Sequence, residues 1–464
     1  MQIENKLTAK DLQKQIGHTL ELAGRKARLL EKSWDTSKGT PVFTVDGKYT
    51  TRGWTEWTQG FQYGCAILAF DGTGEKDLLE LGRKNTVEKM APHVTHVGVH
   101  DHGFNNLSTY GNLRRLMREG RINHNEWELA FLELAIKSSG AVQAARWSGT
   151  PVGKTSPVIA NSSSLGYIYS FNGPHSLFVD TMRSCRILGV AWQLGHKLMH
   201  ENDRAADLLK RSVLHGLCTN QYIVFHGDST HTYDVRGRTS HEAIFNRADG
   251  NVRCRSTQQG YSPFSTWTRG LAWAMLGFAE ELEFFATIED AKFQQSVGLA
   301  KKDVVAAYER AAIDTCDHYI NDCAAADGIV YWDDGAPGLA KMGDWRARPA
   351  DPFNEHEPVD SSASAIAAQG LLRLGKYLGQ DRYTRAGLSI ARVLMSEPYL
   401  ATDENHQGLL LHSVYHRPNG WDHVPPGRKV PCGESSLWGD YHLVELAVML
   451  QRLADEKPYL KFFD

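Results

Sequence analysis

Apolar residues recur at helical spacing from one end of this 464-residue chain to the other, with little of the strict alternation that marks half-buried strands. That pattern confines the chain to an all-α fold. About a dozen segments carry it: Leu12 to Glu31, Trp57 to Gly72, Glu75 to Met90, Leu107 to Glu119, His124 to Gly140, Asp180 to His200, Ala205 to Tyr222, Arg269 to Phe285, Lys301 to Ile320, Ser361 to Leu378, Arg382 to Ser396 and Asp440 to Leu453. Tyr383, Ala386, Ile390, Val393 and Leu394 fall on one stripe, and Leu443, Leu446, Ala447, Leu450 and Leu453 do the same in the last segment. Gly and Pro gather in connections such as Val330 to Pro337, but no Ser/Gly/Pro-rich linker or low-complexity tract divides the chain, so residues 1–464 read as one domain. Successive helix-loop-helix pairs, with aromatic and acidic residues near the loops, predict six α-hairpins around a central funnel, an (α/α)6 barrel. A helical solenoid would show a fixed period of roughly 30 to 50 residues, and none is present.

Charge narrows the ligand classes. Lys and Arg number 51 against 54 Asp and Glu, a net charge of −3 that supplies no field to gather nucleic acid or an anionic membrane. Any anionic ligand must be held by local groups. The seven cysteines are scattered, form no Cys-x-x-Cys pair, and read as reduced, buried thiols. Met1 to Lys32 is charged throughout, and no segment approaches the roughly 18 apolar residues of a membrane span, so the expected location is cytoplasmic.

Chemistry concentrates in one Gly-punctuated loop that opens a helix, from Thr257-Gln258-Gln259-Gly260-Tyr261 to Trp267-Thr268-Arg269-Gly270-Leu271-Ala272-Trp273. Trp267 and Trp273 offer flat faces for the C–H surface of a sugar ring, Arg269 a fork suited to a carboxylate, and Gln259 both a donor and an acceptor for hydroxyls. A loop anchored by buried tryptophans is the plainer reading of the same residues. Two carboxylates stand out elsewhere: Asp101 in the loop Gly98 to Phe104, and Asp180 in Val179-Asp180-Thr181-Met182. Each precedes a helix, where capping alone would account for it. Should both face one funnel, the pair offers one proton donor and one charged partner, because two close carboxylates cannot ionise equally.

His93, His96, His100 and His102 crowd into ten residues without a His-Glu-x-x-His run or a ligand pair on one helical face, so no metal is expected there. At most one of His100 and His102, on opposite sides of Asp101, is expected to share its pocket. Gly-x-Ser-x-Gly, Gly-x-Gly-x-x-Gly and phosphate-loop motifs are absent, and no cofactor is expected.

Seven islands in register resemble the unsaturated glucuronyl hydrolases, glycoside hydrolase family 88. They are Trp57-Thr58-Gln59-Gly60-Phe61, His100-Asp101-His102-Gly103-Phe104, Val179 to Met182, Gln259 to Tyr261 with Trp267 to Trp273, Tyr331-Trp332-Asp333 with Ala336-Pro337, Asp360 to Ala365, and Trp438-Gly439-Asp440-Tyr441. The resemblance implies an (α/α)6 barrel that removes a Δ4,5-unsaturated uronic acid from the nonreducing end of lyase-generated oligosaccharides by hydrating the ring's double bond. It implies Asp180 as the acid that protonates C4 and then the base for water adding at C5, with Asp101 as its partner. It also implies His241 on the substrate, with His231 as a rival, Gln259 and Arg269 on the uronate, and Trp57, Trp267 and Trp273 as walls. Gln62 and Leu271 depart from the family pattern, and both changes are expected to reshape the wall. Trp438 stands where members acting on sulfated sugars place a basic side chain, which leans toward unsulfated substrates. The expected partners are unsaturated uronic-acid oligosaccharides, with no nucleic acid or membrane, bound by a monomer or small homo-oligomer. An unsaturated rhamnogalacturonyl hydrolase, a noncatalytic sugar-binding toroid, and an isomerase on a similar barrel are the alternatives.

Overall fold

The periodic segments fold into two classes of helix that differ in how many of their sides are buried. A computed structural model describes residues 1–53, 56–151 and 165–464. In chain order its long helices are α1 (Gln13–Ser33), α2 (Gln59–Thr73), α3 (Lys76–Lys89), α4 (102–118), α5 (Glu126–Ala145), α6 (181–193), α7 (Leu208–Tyr222), α8 (Thr268–Ala286), α9 (Lys301–His318), α10 (Ser361–Leu378), α11 (Asp381–Leu394) and α12 (Leu437–Ala454). The even-numbered helices are buried almost all round, whereas the odd-numbered ones bury chiefly the face turned to them. A helix apolar on one side can lie at the surface; one apolar on every side must be enclosed.

The enclosed helices form a closed ring. α2 packs on α4, α4 on α6, α6 on α8, α8 on α10, α10 on α12, and α12 returns to α2. The odd-numbered helices lie outside them: α1 on α2 and α12, α3 on α2, α5 and α7 on α6, α9 on α8, and α11 on α10. This is the all-α, (α/α)6 architecture the periodicity predicts. The stripe expected in α11 is real, but α12 is buried on all sides from Leu437 to Leu450. Helix ends follow local chemistry. Asn125, Asp207, Asp360 and Ser436 accept backbone N–H groups at the starts of α5, α7, α10 and α12. Among the described residues, no helix is long and apolar enough to cross a membrane.

Three expectations are corrected. The helix expected from Leu107 starts at His102 and passes through a π-helical turn, Leu107–Gly111. The helix expected to reach His200 stops at Gln193, and residues 197–199 pair instead with 205–207. Short strands were not expected at all: β1 (Ser176–Phe178), β2 (Glu242–Phe245) and β3 (Val252–Ser256) form an antiparallel sheet in that order. Runs of three to five residues are too short for alternation to register. Six of the seven cysteines are buried as expected, but Cys254 is exposed on β3.

Charge as well as apolar contact holds the ring. Arg183 of α6 reaches Glu280 of α8 at 2.7 Å and Glu445 of α12 at 2.9 Å, while Arg373 of α10 reaches Glu283 of α8 at 2.8 Å. All five are buried. One close approach fixes the geometry of the mouth: a Cβ on Gly103 would lie 2.1 Å from the Ser184 carbonyl oxygen. The Gly103 N–H donates to Ser184 Oγ at 3.0 Å, which donates to the His100 carbonyl at 2.7 Å. Gly103→Ala is expected to cost about 1–3 kcal/mol of stability through overpacking, read from denaturant unfolding. Wild-type stability in that variant would mean that α4 and α6 tolerate a wider spacing.

Candidate functional site

All six inner helices bring their N-termini to one end of the ring, where a cavity of about 570 Å³ opens. That volume suits a small-molecule site. Trp57 precedes α2, Asp101 precedes α4, Asp180 precedes α6, and Trp267 and Arg269 stand at the start of α8; all five line the cavity. Asp360 at the start of α10 and Trp438 at the start of α12 lie just beneath them, in contact with Arg269 and Trp57. Free N–H groups and the positive ends of the helix dipoles favour an anion at such a mouth. The islands picked out in the sequence are therefore mostly the openings of the inner helices.

Neither Asp101 nor Asp180 caps its helix through a side-chain hydrogen bond, in contrast to Asp207 and Asp360. Both instead meet one histidine. His100 Nε2 lies 3.2 Å from Asp180 Oδ1 and 3.7 Å from Asp101 Oδ1. Burial pushes Asp101 up to about 6, with the charge of Asp180 adding to the rise and that of His100 opposing it. Burial also pushes Asp180 upward, but the hydrogen bond and charge of His100 and the charge of His241 outweigh it and leave this carboxyl below the ordinary range. For His100, burial favours the neutral ring, yet the two carboxylates win and raise its proton affinity. Asp101 is therefore the more basic of the two carboxyls. His102 turns the other way, to Ser139 Oγ and the His96 carbonyl, as expected if only one of the two histidines shares the pocket.

His241 reaches the site through the unforeseen sheet. It immediately precedes β2, and its carbonyl accepts the Val179 N–H at 3.0 Å, which sets it beside Asp180. Its Nδ1 accepts the N–H groups of Gln258 and Gln259 at 2.9 and 3.3 Å. Burial lowers its pKa to about 4, so the ring is neutral with its proton on Nε2, a buried atom without a partner. The rival His231 stacks on Tyr233 in an exposed loop.

Arg269 lines the cavity with its donors engaged. Its fork is already committed: Nη1 to Asp360 Oδ2 at 2.8 Å and to the Val414 carbonyl, Nη2 to Gln259 Oε1 at 2.8 Å and to the Tyr415 carbonyl at 2.7 Å. A buried guanidinium must satisfy its donors internally, and this one ties the start of α8 to Asp360, Gln259 and the backbone at 414–415. Gln259 keeps its amide nitrogen for a ligand. Trp57 is half-buried and stacks on Trp438 at 5.0 Å; Trp267 packs edge-on to His241; Trp273, 1% exposed, rests against Phe104 and His442 as a floor more than a wall. Trp438 is fully buried, with its indole N–H on Ser362 Oγ, so it does not present itself to a sulfate. Gln62 and Leu271 are buried away from the cavity and shape none of its surface.

The far rim carries no signal in the sequence. Arg52 lies with its guanidinium 3.7 Å from the centroid of the Trp421 ring and, among the described residues, makes no ion pair. Glu56, Tyr415 and His416 complete that side. Tyr415 and His416 sit in irregular backbone pinned by Asp422, which accepts both their N–H groups. Such a segment leaves no periodic signal.

No protein-family model matches this sequence. An unsaturated glucuronyl hydrolase of Bacillus sp. strain GL1 is 24% identical over 95% of this chain and 97% of its own length. An unsaturated chondroitin disaccharide hydrolase of Streptococcus pyogenes serotype M1 is 24% identical over 96% and 93%. Among solved structures, an unsaturated glucuronyl hydrolase specific for heparin matches with a TM-score of 0.68 at 19% identity, over 97% of this chain and 99% of that one. The resemblance to unsaturated glucuronyl hydrolases thus extends over nearly the whole chain, and the (α/α)6 barrel is common ground.

Proposed function

We propose that this protein is a glycoside hydrolase that removes the nonreducing-end Δ4,5-unsaturated uronic acid from oligosaccharides left by polysaccharide lyases, acting as one catalytic domain in the cytoplasm. The observation that carries the reading is the pair Asp101, buried, and Asp180, partly buried, both uncapped and both beside one histidine nitrogen in an aromatic cavity.

In this reading Asp180 gives its proton to C4 of the enol ether. Positive charge develops at C5 and on the ring oxygen, water adds at C5, and its proton returns to Asp180. The hemiketal then opens and releases the remaining saccharide. Asp180 must gain proton affinity before it can donate, because Asp101 is the more basic of the two carboxyls. The uronate's own negative charge and the displacement of water both act in that direction. His100 holds the two carboxylates in register, and the unpartnered Nε2–H of His241 supplies a donor beside the reacting ring. Arg52 takes the role first assigned to Arg269, as the cation at the rim for an anionic substrate group. Trp57 and Trp267 flank the sugar, and Gln259 bonds its hydroxyls.

The test follows loss of the conjugated double bond's ultraviolet absorbance with unsaturated uronyl disaccharides from glycosaminoglycans and from pectin. Turnover of the former ahead of the latter is expected. A sugar inverted without bond cleavage would point to an isomerase, and binding without absorbance loss to a noncatalytic toroid. The same assay gives a pH profile. Below pH about 6 the pair retains its proton, and above it both carboxylates ionise, so kcat/KM should fall as pH rises through about 6. A rate still flat at pH about 8 would remove this pair as the proton source.

A further inference from the structure

Away from the cavity, three side chains of different chemistry converge at the end of α9. His318 closes that helix, Cys323 ends the π-helical turn Tyr319–Cys323 after it, and Asp334 lies on the loop that follows Asp333. His318 Nε2 is 3.2 Å from Asp334 Oδ2, and Cys323 Sγ is 3.7 Å from the same oxygen. Nitrogen, sulfur and oxygen all lie within 4.8 Å of one another. Around a tetrahedral Zn²⁺ with bonds of about 2.0 Å to nitrogen and oxygen and about 2.3 Å to sulfur, the N–O and O–S edges are about 3.3 and 3.5 Å. Both separations fall within about 0.2 Å of those edges.

The supporting layer is present as well. His318 Nδ1 sits 3.2 Å from Asp322 Oδ2, the carboxylate–histidine pairing that fixes a ligand ring, and Asp334 Oδ1 accepts the Thr266 N–H at 2.6 Å. Thr266 Oγ1, 3.1 Å from His318 Nε2, marks the side on which a hydroxyl or water completes four-coordination. A protonated His318 between two carboxylates accounts for the N–O contacts alone. The Cys323 thiol, which donates a weak bond to the same oxygen at 3.7 Å, adds the soft donor that a carboxylate–histidine pair lacks.

We propose that His318, Cys323 and Asp334 form a structural site for one thiophilic divalent cation of the Zn²⁺ type. Binding releases the Cys323 thiol proton and the proton on His318 Nε2, so affinity rises with pH. The site ties the end of α9 to the segment that leads into Trp267, through Thr266 and the backbone bridge between Trp267 and Asp333. None of its ligands lines the cavity. Its loss should therefore loosen the cavity wall on heating and leave the low-temperature reaction intact.

The experiment uses the full chain, dialysed against a chelator and titrated with Zn²⁺ and with Co²⁺. One equivalent of Zn²⁺ should bind and raise the melting temperature, and the Co²⁺ form should show a sulfur-to-cobalt charge-transfer band in the near ultraviolet. Cys323→Ser should abolish that band, whereas Cys254→Ser, at the exposed cysteine, should keep it. Asp322→Asn, which disturbs only the partner of His318, should weaken metal binding by about 10- to 100-fold. A folded wild-type chain with no thiolate–cobalt band, or a band surviving in Cys323→Ser, would overturn the proposal. Should Cys323→Ser fail to fold, the wild-type spectrum with the Asp322→Asn affinity decides it.

Discussion

Asp180→Asn is expected to lower kcat on an unsaturated uronyl disaccharide by about 10²-fold or more while the substrate still binds. Asparagine preserves the size of the side chain and can still meet His100 Nε2, now 3.2 Å from Asp180 Oδ1, but it has no proton to give to C4 and cannot take one from water. The loss should therefore appear in kcat and leave binding, measured directly by calorimetry, close to wild type. Asp101→Asn supplies the comparison. Its carboxyl is the more basic of the pair, so its loss should shift the alkaline limb of the pH profile from its expected position near 6 and reduce the rate less than loss of Asp180. Near-wild-type turnover in Asp180→Asn would take this residue out of the mechanism. A larger loss in Asp101→Asn would exchange the two roles, in keeping with the resting order of their proton affinities.

Arg269→Met should destabilise the fold by about 3–5 kcal/mol, the cost of stranding a buried charge. Asp360 is fully buried and loses its guanidinium partner in that variant, while the Val414 and Tyr415 carbonyls and Gln259 lose a donor each. The Asp360 carboxylate would keep its bonds to the start of α10 and the Val414 N–H, but no cation. Guanidinium-chloride unfolding measures the change. A side chain whose purpose was to grip substrate would behave otherwise: stability would stay at the wild-type level and KM alone would rise. Arg52→Met offers the contrast. It is exposed and without an ion pair among the described residues, so its removal should weaken an anionic substrate and leave unfolding almost unchanged.

Much of the architecture was legible in the residues. Helix periodicity needs only neighbours three and four positions apart, and it located the twelve long helices, with errors mainly where a π-helical turn or a short strand intervened. The site islands were legible for a related reason: most are the openings of inner helices, where cap chemistry and aromatic residues leave a local mark. His100 could have been found from its place beside Asp101, since the residue before a helix-opening carboxylate on the inner ring shares its mouth. The rim formed by Arg52, Tyr415 and Trp421 left no such mark, because irregular loops carry no period.

Residue spacing thus determined a helical ring, and the resemblance of the helix openings singled out the two acids. Only the tertiary structure decided which groups those acids meet and which cations are free to act. His100 joins carboxylates 79 positions apart, the Asp360 carboxylate claims an arginine 91 residues away, and a three-stranded sheet delivers His241 to Asp180. The reason is physical. A helix is specified by contacts within a turn or two, whereas proton affinity and the availability of a charge depend on burial and on partners that the chain brings together only once the ring has closed.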